Sequence, residues 1–311
     1  VTTRIVIIGA GHVGATAAYA LMLRALVREI VLIDSNHKLA EAEAADLADA
    51  DALARPARIW AGDYADAASA GIAVLTAGAA THGNESRLSV AARSAAIIEQ
   101  CVESLMTNGF DGILLIAANP VDLMAQVALR ASGLPAGRVI GTGTLLDSAR
   151  LRQTLAEKLG VAPSAVEGFV LGEHGDSEVT AFSTVRIGGL PLDRFAAAAP
   201  PLDRAAIAAE VRDAAYGIVS GKGYTSFGIA TAIVRICEAL VRDERAVLPV
   251  SIMPPDDTGF GGTYISLPCL IGAGGIERVV MPDLPTGEHD ALQRSSAALK
   301  KAMEGMQQDQ S

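Results

Sequence analysis

Cysteine is scarce and unpaired in this chain of 311 residues: Cys101, Cys237 and Cys269 stand far apart in apolar stretches. An odd, scattered set of three excludes a disulfide framework and a zinc site, so the three read as buried thiols of a reducing compartment. The five histidines, His12, His37, His82, His174 and His289, are equally dispersed, and no metal centre is expected. Positive charge is in deficit too. With 25 Lys and Arg against 35 Asp and Glu the net charge is -10, which argues against nucleic acid or an anionic membrane as a partner. A small anionic substrate is not excluded, because it responds to the local field of its pocket. No apolar run reaches membrane length and no basic segment with a following apolar region opens the sequence, so a cytoplasmic protein is expected. Disorder is excluded by a composition that is 50% hydrophobic and 19% charged. The length suffices for one large domain or two intimately packed ones.

What is present begins with a short β-branched run, Arg4-Ile5-Val6-Ile7-Ile8, the pattern of a strand buried on both faces. It runs into Gly9-Ala10-Gly11-His12-Val13-Gly14 and an Ala-rich helical stretch, then a second strand closed by Asp34. This is G-x-G-x-x-G between strand and helix, with an acid 20 residues after the last glycine. Gly9 makes the tight turn, Gly11 admits a pyrophosphate to the backbone, and Gly14 lets the helix pack on the strand. The helix N-terminus, at His12 and Val13, then holds the phosphates. Asp34 accepts hydrogen bonds from the adenosine ribose and repels a 2′-phosphate, which favours NAD over NADP; Lys38 nearby softens that preference. Further strand-like runs at 57–61, 72–77 and 112–117 alternate with helical segments at 38–50 and 89–108. Such alternation predicts a doubly wound parallel sheet. Ligands in such folds sit at the carboxyl ends of the strands, here the turns holding Gly78 and Asn119-Pro120. The polar segment 79–87 reads as a surface loop or as a lid that delivers Arg87 to the site.

The richest cluster lies in the second half: Gly172-Glu173-His174-Gly175-Asp176-Ser177-Glu178 follows an apolar run. An imidazole among carboxylates is a proton donor and acceptor near neutral pH, although an acidic surface turn would look similar. Asp147 and Arg150, three apart, share a helix face and can point into one cleft; a surface salt bridge is the bland alternative. Taken together, an acid, an imidazole, two arginines and a nicotinamide are what reduction of a 2-keto acid needs. His174 would donate the proton, with Asp147 holding its ring. Arg87 would polarise the carbonyl, and Arg150 would grip the substrate carboxylate in a bidentate pair.

These motifs, with Glu85-Ser86-Arg87-Leu88, Asn119-Pro120-Val121-Asp122, Leu146-Asp147-Ser148-Ala149-Arg150, Lys222-Gly223-Tyr224-Thr225-Ser226 and Ser266-Leu267-Pro268-Cys269, run in order over nearly the whole chain. The sequence thereby resembles the L-lactate/L-malate dehydrogenase superfamily, nearer its lactate dehydrogenase branch. The resemblance implies an α/β architecture: a Rossmann domain over 1–141, then a mixed α+β substrate domain over 142–311. It implies a cis Asn119–Pro120 bond, Asn119 near the substrate oxygen and the cofactor, and Thr225 and Ala215 in the side-chain pocket. A long C-terminal helix over about 287–306 would pack over the site. A homo-oligomer is implied as well, a tetramer before a dimer, and the apolar stretch 205–219 offers a face for it. The sequence begins three residues before its first strand, so the N-terminal arm of vertebrate relatives is not expected.

Two positions depart from the family pattern. Six residues before Arg87, relatives that use lactate carry glutamine and those that use malate carry arginine; here the residue is Thr81. Threonine cannot pair with a second carboxylate and leaves more room than glutamine, so a neutral side chain larger than methyl is expected. His82, the next residue, could add a conditional positive charge beside a polar substrate. Relatives that respond to fructose 1,6-bisphosphate pair an arginine with a histidine around the phosphates. Arg152 stands in the arginine's place but Glu167 in the histidine's, and a carboxylate repels phosphate. Activation by that effector is not expected. The competing readings are a malate dehydrogenase, against which Thr81 argues, and a non-catalytic NAD-binding relative, against which the four retained residues His174, Asp147, Arg87 and Arg150 argue. The Tyr-x-x-x-Lys pair of short-chain dehydrogenases is found at no tyrosine.

Overall fold

The computed structural model describes residues 3–54, 57–79, 87–198 and 200–308. Thr81 and His82, on which the substrate-size reading rests, lie outside them, as does the side chain of Arg87. The first half alternates as its pattern predicts: β1 Arg4–Ile8, α1 His12–Leu23, β2 Glu29–Ile33, α2 His37–Asp51, β3 Arg58–Ala61, β4 Ile72–Leu75, α3 Arg87–Thr107, β5 Ile113–Ile116, α4 Val121–Ser132 and β6 Val139–Gly141. Ile5, Val6 and Ile7 are fully buried because helices cover both faces of their strand. Each such side chain removed from water stabilises the fold by about 1.5–3 kcal/mol. Strand β1 pairs in parallel with β2 on one side and β4 on the other, Ile7 facing Leu32 and Val74. The winding reverses between β1 and β4. That reversal opens a crevice at their carboxyl ends, where Gly9 and Thr76 meet: Thr76 Oγ1 donates to the Gly9 carbonyl at 2.7 Å.

The second half supplies α5 Leu145–Leu159, β7 Val166–Leu171, β8 Val179–Ile187, β9 Leu190–Pro191, α6 Leu192–Phe195, α7 Arg204–Lys222, α8 Phe227–Val241, β10 Ala246–Ile252, β11 Ile265–Gly272, β12 Gly275–Val279 and α9 Thr286–Gln308. Among the described residues nine strands form one sheet in the order β12-β11-β10-β6-β5-β4-β1-β2-β3. The six strands of the first half are parallel, and β10–β12 extend them antiparallel through the pairing of Ser251 with Gly141. A second, antiparallel sheet β7-β8-β9 stands apart. Its apolar face closes on α5 and α7 through Leu151, Leu155, Val185, Ile187, Ile207 and Val211. The architecture is α/β, a Rossmann-type parallel sheet followed by a mixed α+β part. The three cysteines are buried and free, as their apolar surroundings imply.

Candidate active site

The glycine loop is shaped for a dinucleotide. Gly11 caps α1 without any side-chain cap bond, and a Cβ placed there would meet nothing within 4 Å among the described residues. The first amide groups of α1 therefore open onto free space, where an anion is favoured. Gly14 is the opposite case: a Cβ there would come within 1.9 Å of the Gly9 carbonyl oxygen, so only glycine lets helix and strand pack this closely. Asp34, at the end of β2, accepts from Ala10 N at 2.7 Å and from Asn36 N at 2.8 Å. It braces the loop with one lone pair of each oxygen and keeps acceptor capacity for a ribose. Gly78 follows β4 on the far side of the crevice. Val13 and Asn119 face a common cavity of about 100 Å³. These residues fit a bound NAD.

His174 sits where three cavities meet, of about 500, 180 and 100 Å³. Its loop is pinned from several sides. Gly172 exchanges backbone hydrogen bonds with Ser266 of β11 at 3.0 and 2.9 Å, and Glu173 N donates to Ser295 Oγ of α9 at 2.8 Å. His174 N donates to Asp122 Oδ2 at 2.9 Å. On the ring, Nδ1 lies 2.6 Å from Asp147 Oδ2. The other oxygen of Asp147 accepts from Arg150 Nη1 at 2.8 Å. The i, i+3 pair expected on α5 is therefore real, and it is an inward pair: the Asp147 side chain is 2% exposed.

Burial opposes ionisation in this cluster, and the partners overcome it. Desolvation acts to lower the His174 pKa, but the charge and hydrogen bond of Asp147, with Asp122 and Glu178 beyond, raise it to about 9. Burial likewise pushes Asp147 up, yet His174 and Arg150 hold its carboxyl below the usual range. With Asp147 ionised, Nδ1 carries a proton toward it and Nε2 is left to exchange a proton with a substrate.

Ala215 and Thr225 line the 100 Å³ cavity with Arg150, His174 and Asn119, so all five of these sequence-predicted residues converge. The Asn119–Pro120 peptide is cis. Arg87 is the first residue of α3, two residues before the expected helix start, and so stands at the junction of the 79–87 segment and that helix. Two residues were missed. Asp122, 2% exposed, ties His174 N to Ser251 Oγ at 2.5 Å, and burial raises its pKa to about 6 against those two hydrogen bonds. An acid in the first turn of a strongly apolar helix, directly after a strand end, was the signal available for it. Glu178 keeps a buried oxygen, Oε1, without a hydrogen-bond partner among the described residues. Burial and then the Asp147 charge raise its pKa to about 8. Nothing in the sequence told it apart from the solvated acids beside it.

A parallel sheet with a glycine loop at its switch point, facing an imidazole–carboxylate–arginine cluster, defines a nicotinamide-dependent dehydrogenase. Comparison with known proteins narrows the class. The family model described as lactate/malate dehydrogenase, NAD binding domain, matches residues 3–141, and that of the alpha/beta C-terminal domain matches 144–310. The L-lactate dehydrogenase of Thermus aquaticus is 43% identical over 95% of this chain and 97% of its own. That of Priestia megaterium is 40% identical over 96% and 95%. A lactate dehydrogenase from a Medee basin deep-sea metagenome library superposes with a TM-score of 0.95 at 38% identity, covering 98% of this chain and 99% of that one. The chain belongs to the lactate/malate dehydrogenase family, on the side of its L-lactate dehydrogenases, and is an NAD-dependent oxidoreductase acting on a CH–OH group.

Proposed function

We propose that this protein interconverts a 2-keto acid and the corresponding L-2-hydroxy acid, with His174 as proton donor and acceptor. The observation that carries the reading is the His174–Asp147–Arg150 cluster, centred on a buried Asp147, beside the cavity shared by Val13 and Thr225. The glycine loop and Asp34 would hold NADH, which would supply the hydride for the carbonyl carbon. Arg150, anchored by Asp147 through Nη1, has further donors for the substrate carboxylate. His174 gives its Nε2 proton to the carbonyl oxygen as charge develops there, and Asp147 keeps the imidazolium formed in the reverse direction. Arg87, brought in from the start of α3, stabilises the same oxygen. Asn119 orients it, and Ala215 and Thr225 wall the side chain.

The cofactor half is 1–141 and the substrate half 142–311, a division supported by the two family models, which fall on either side of 142–143. Thr81 gives the pocket its preference for a neutral side chain larger than methyl. The protein works in the cytoplasm as a homo-oligomer, with a tetramer the expected state. Support comes from Tyr19, Leu23, Ile218, Val219 and Phe227, large apolar side chains left in the open, and from the absence of membrane-length apolar helices among the described residues. The test is oxidation of NADH in the presence of pyruvate, 2-ketobutyrate and phenylpyruvate, with the configuration of the product determined. The reading requires the L-hydroxy acid; turnover giving the D-enantiomer, or none, refutes it.

A further inference from the structure

Beyond the packing of α1 along α8, a ring stack joins the cofactor loop to the turn that carries Thr225. The His12 ring, at the first turn of α1, stacks on the Tyr224 ring with centroids 3.8 Å apart and planes 9° from parallel. Both side chains are exposed, Tyr224 at 37%. Hydrophobic burial alone therefore does not account for the pairing, and neither ring belongs to the packed core.

The placement is informative. His12 immediately precedes Val13, and Tyr224 immediately precedes Thr225. Val13 and Thr225 line the same 100 Å³ cavity, together with His174 and Arg150. The stack thus bridges the two walls one residue outside the cavity. The turn that carries Tyr224 is itself stiffened. Gly223, at φ +86°, caps α7 by donating to Val219 O at 2.8 Å. Lys222 Nζ donates to Ser226 Oγ at 3.0 Å and lies 4.5 Å from the Tyr224 ring and 4.1 Å from the Phe227 ring. A cation on the aromatic faces holds the turn together, so whatever fixes Tyr224 also fixes Thr225.

We propose that the His12–Tyr224 stack is a positioning clip that sets the separation between the phosphate-binding loop and the Thr225 wall. It thereby aligns the keto acid with the nicotinamide. The proposal rests on the reaction assigned above. The His12 side chain is turned toward Tyr224, while backbone amide groups of the helix N-terminus would hold the cofactor phosphates. The clip acts on alignment, and misplacement of reacting groups lowers rate more than affinity.

The test is a double-mutant cycle with His12→Ala, Tyr224→Ala and the pair, plus Tyr224→Phe, which keeps the ring. An aromatic pair is worth about threefold to tenfold, so each alanine variant should lower kcat/KM for the best keto acid by about that factor. The double variant should be no worse than either single, Tyr224→Phe should stay within about twofold of wild type, and the dissociation constant for NADH, read by fluorescence, should move less than about twofold. The primary isotope effect on kcat with deuterated NADH should rise in the alanine variants, because hydride transfer is the step that slows. A merely structural contact would leave that isotope effect unmoved. Additive losses, a loss confined to NADH affinity, or a Tyr224→Phe variant as impaired as Tyr224→Ala would overturn the clip. A wild-type protein that reduces no keto acid would overturn the reaction itself, and the clip with it.

Discussion

Asp147 holds two cationic partners through separate oxygens, the imidazole of His174 at 2.6 Å and the guanidinium of Arg150 at 2.8 Å. One buried carboxylate thus positions both the proton donor and the substrate anchor. Asp147→Asn keeps the shape but removes the charge. It should lower kcat/KM by about 100-fold or more, the scale of lost general acid catalysis. Steady-state kinetics against wild type checks this, and a loss under about threefold would remove Asp147 from the mechanism.

The same pair sets a pH dependence. Reduction needs protonated His174, and oxidation needs it neutral. With its pKa raised to about 9 by Asp147 against the pull of burial, keto-acid reduction should hold up through neutrality and fall as pH rises through about 9, while hydroxy-acid oxidation should rise over that range. In Asp147→Asn the limb should move to lower pH. Stability follows the same sign: a pKa raised above the ordinary value of about 6.5 favours the folded state fully below that pH, and the contribution is lost as pH climbs toward 9. Rate profiles in both directions, with thermal melts over that range, provide the check.

Gly14→Ala should be damaging out of proportion to its size. The new Cβ would sit 1.9 Å from the Gly9 carbonyl oxygen, which also accepts a hydrogen bond from Thr76 Oγ1. A destabilisation of about 1–3 kcal/mol is expected from overpacking of this kind, with weaker NADH binding because α1 shifts. Denaturant melts and NADH titration of the variant would show both.

Much of this was legible before the structure. Continuous apolar runs such as Ile5-Val6-Ile7-Ile8 announce strands covered on both faces, and the glycine spacing places a helix N-terminus at His12. The convergence of Asp147, Arg150 and His174 was suggested by their chemistry and by the family resemblance, although a surface salt bridge and an acidic turn fitted the same residues. The joining of β10–β12 to the edge of the first sheet could not, because it depends on a single long-range pairing of Ser251 with Gly141 and no local period encodes it. Asp122 and Glu178 were hidden for a related reason: a carboxylate's burial is set by elements far away in sequence.

The pocket preference has its own test. Thr81→Gln should move kcat/KM toward pyruvate, and Thr81→Arg toward oxaloacetate. Size discrimination by one or two methylenes amounts to about 1–3 kcal/mol, so the first shift should be about tenfold or more. Variants with unchanged ranking would show that the preference lies elsewhere.

Fructose 1,6-bisphosphate should not activate the enzyme. Arg152 is half-buried, with its Nε donating to Gly168 O at 3.4 Å, and the Glu167 carboxylate acts on it electrostatically. A bisphosphate would have to displace or overcome that negative charge. Activity at fixed pH and salt should be unchanged on adding the effector; a rise would contradict the account.

The central claim is that His174 delivers a proton to a 2-keto acid as NADH is oxidised. The most direct measurement compares single-turnover NADH oxidation by wild type and His174→Gln with the best keto acid of a panel running from pyruvate to phenylpyruvate and oxaloacetate. Wild type should oxidise NADH rapidly and the variant about 100-fold or more slowly, with NADH binding intact. Equal rates in the two proteins, or oxidation by neither, would contradict it.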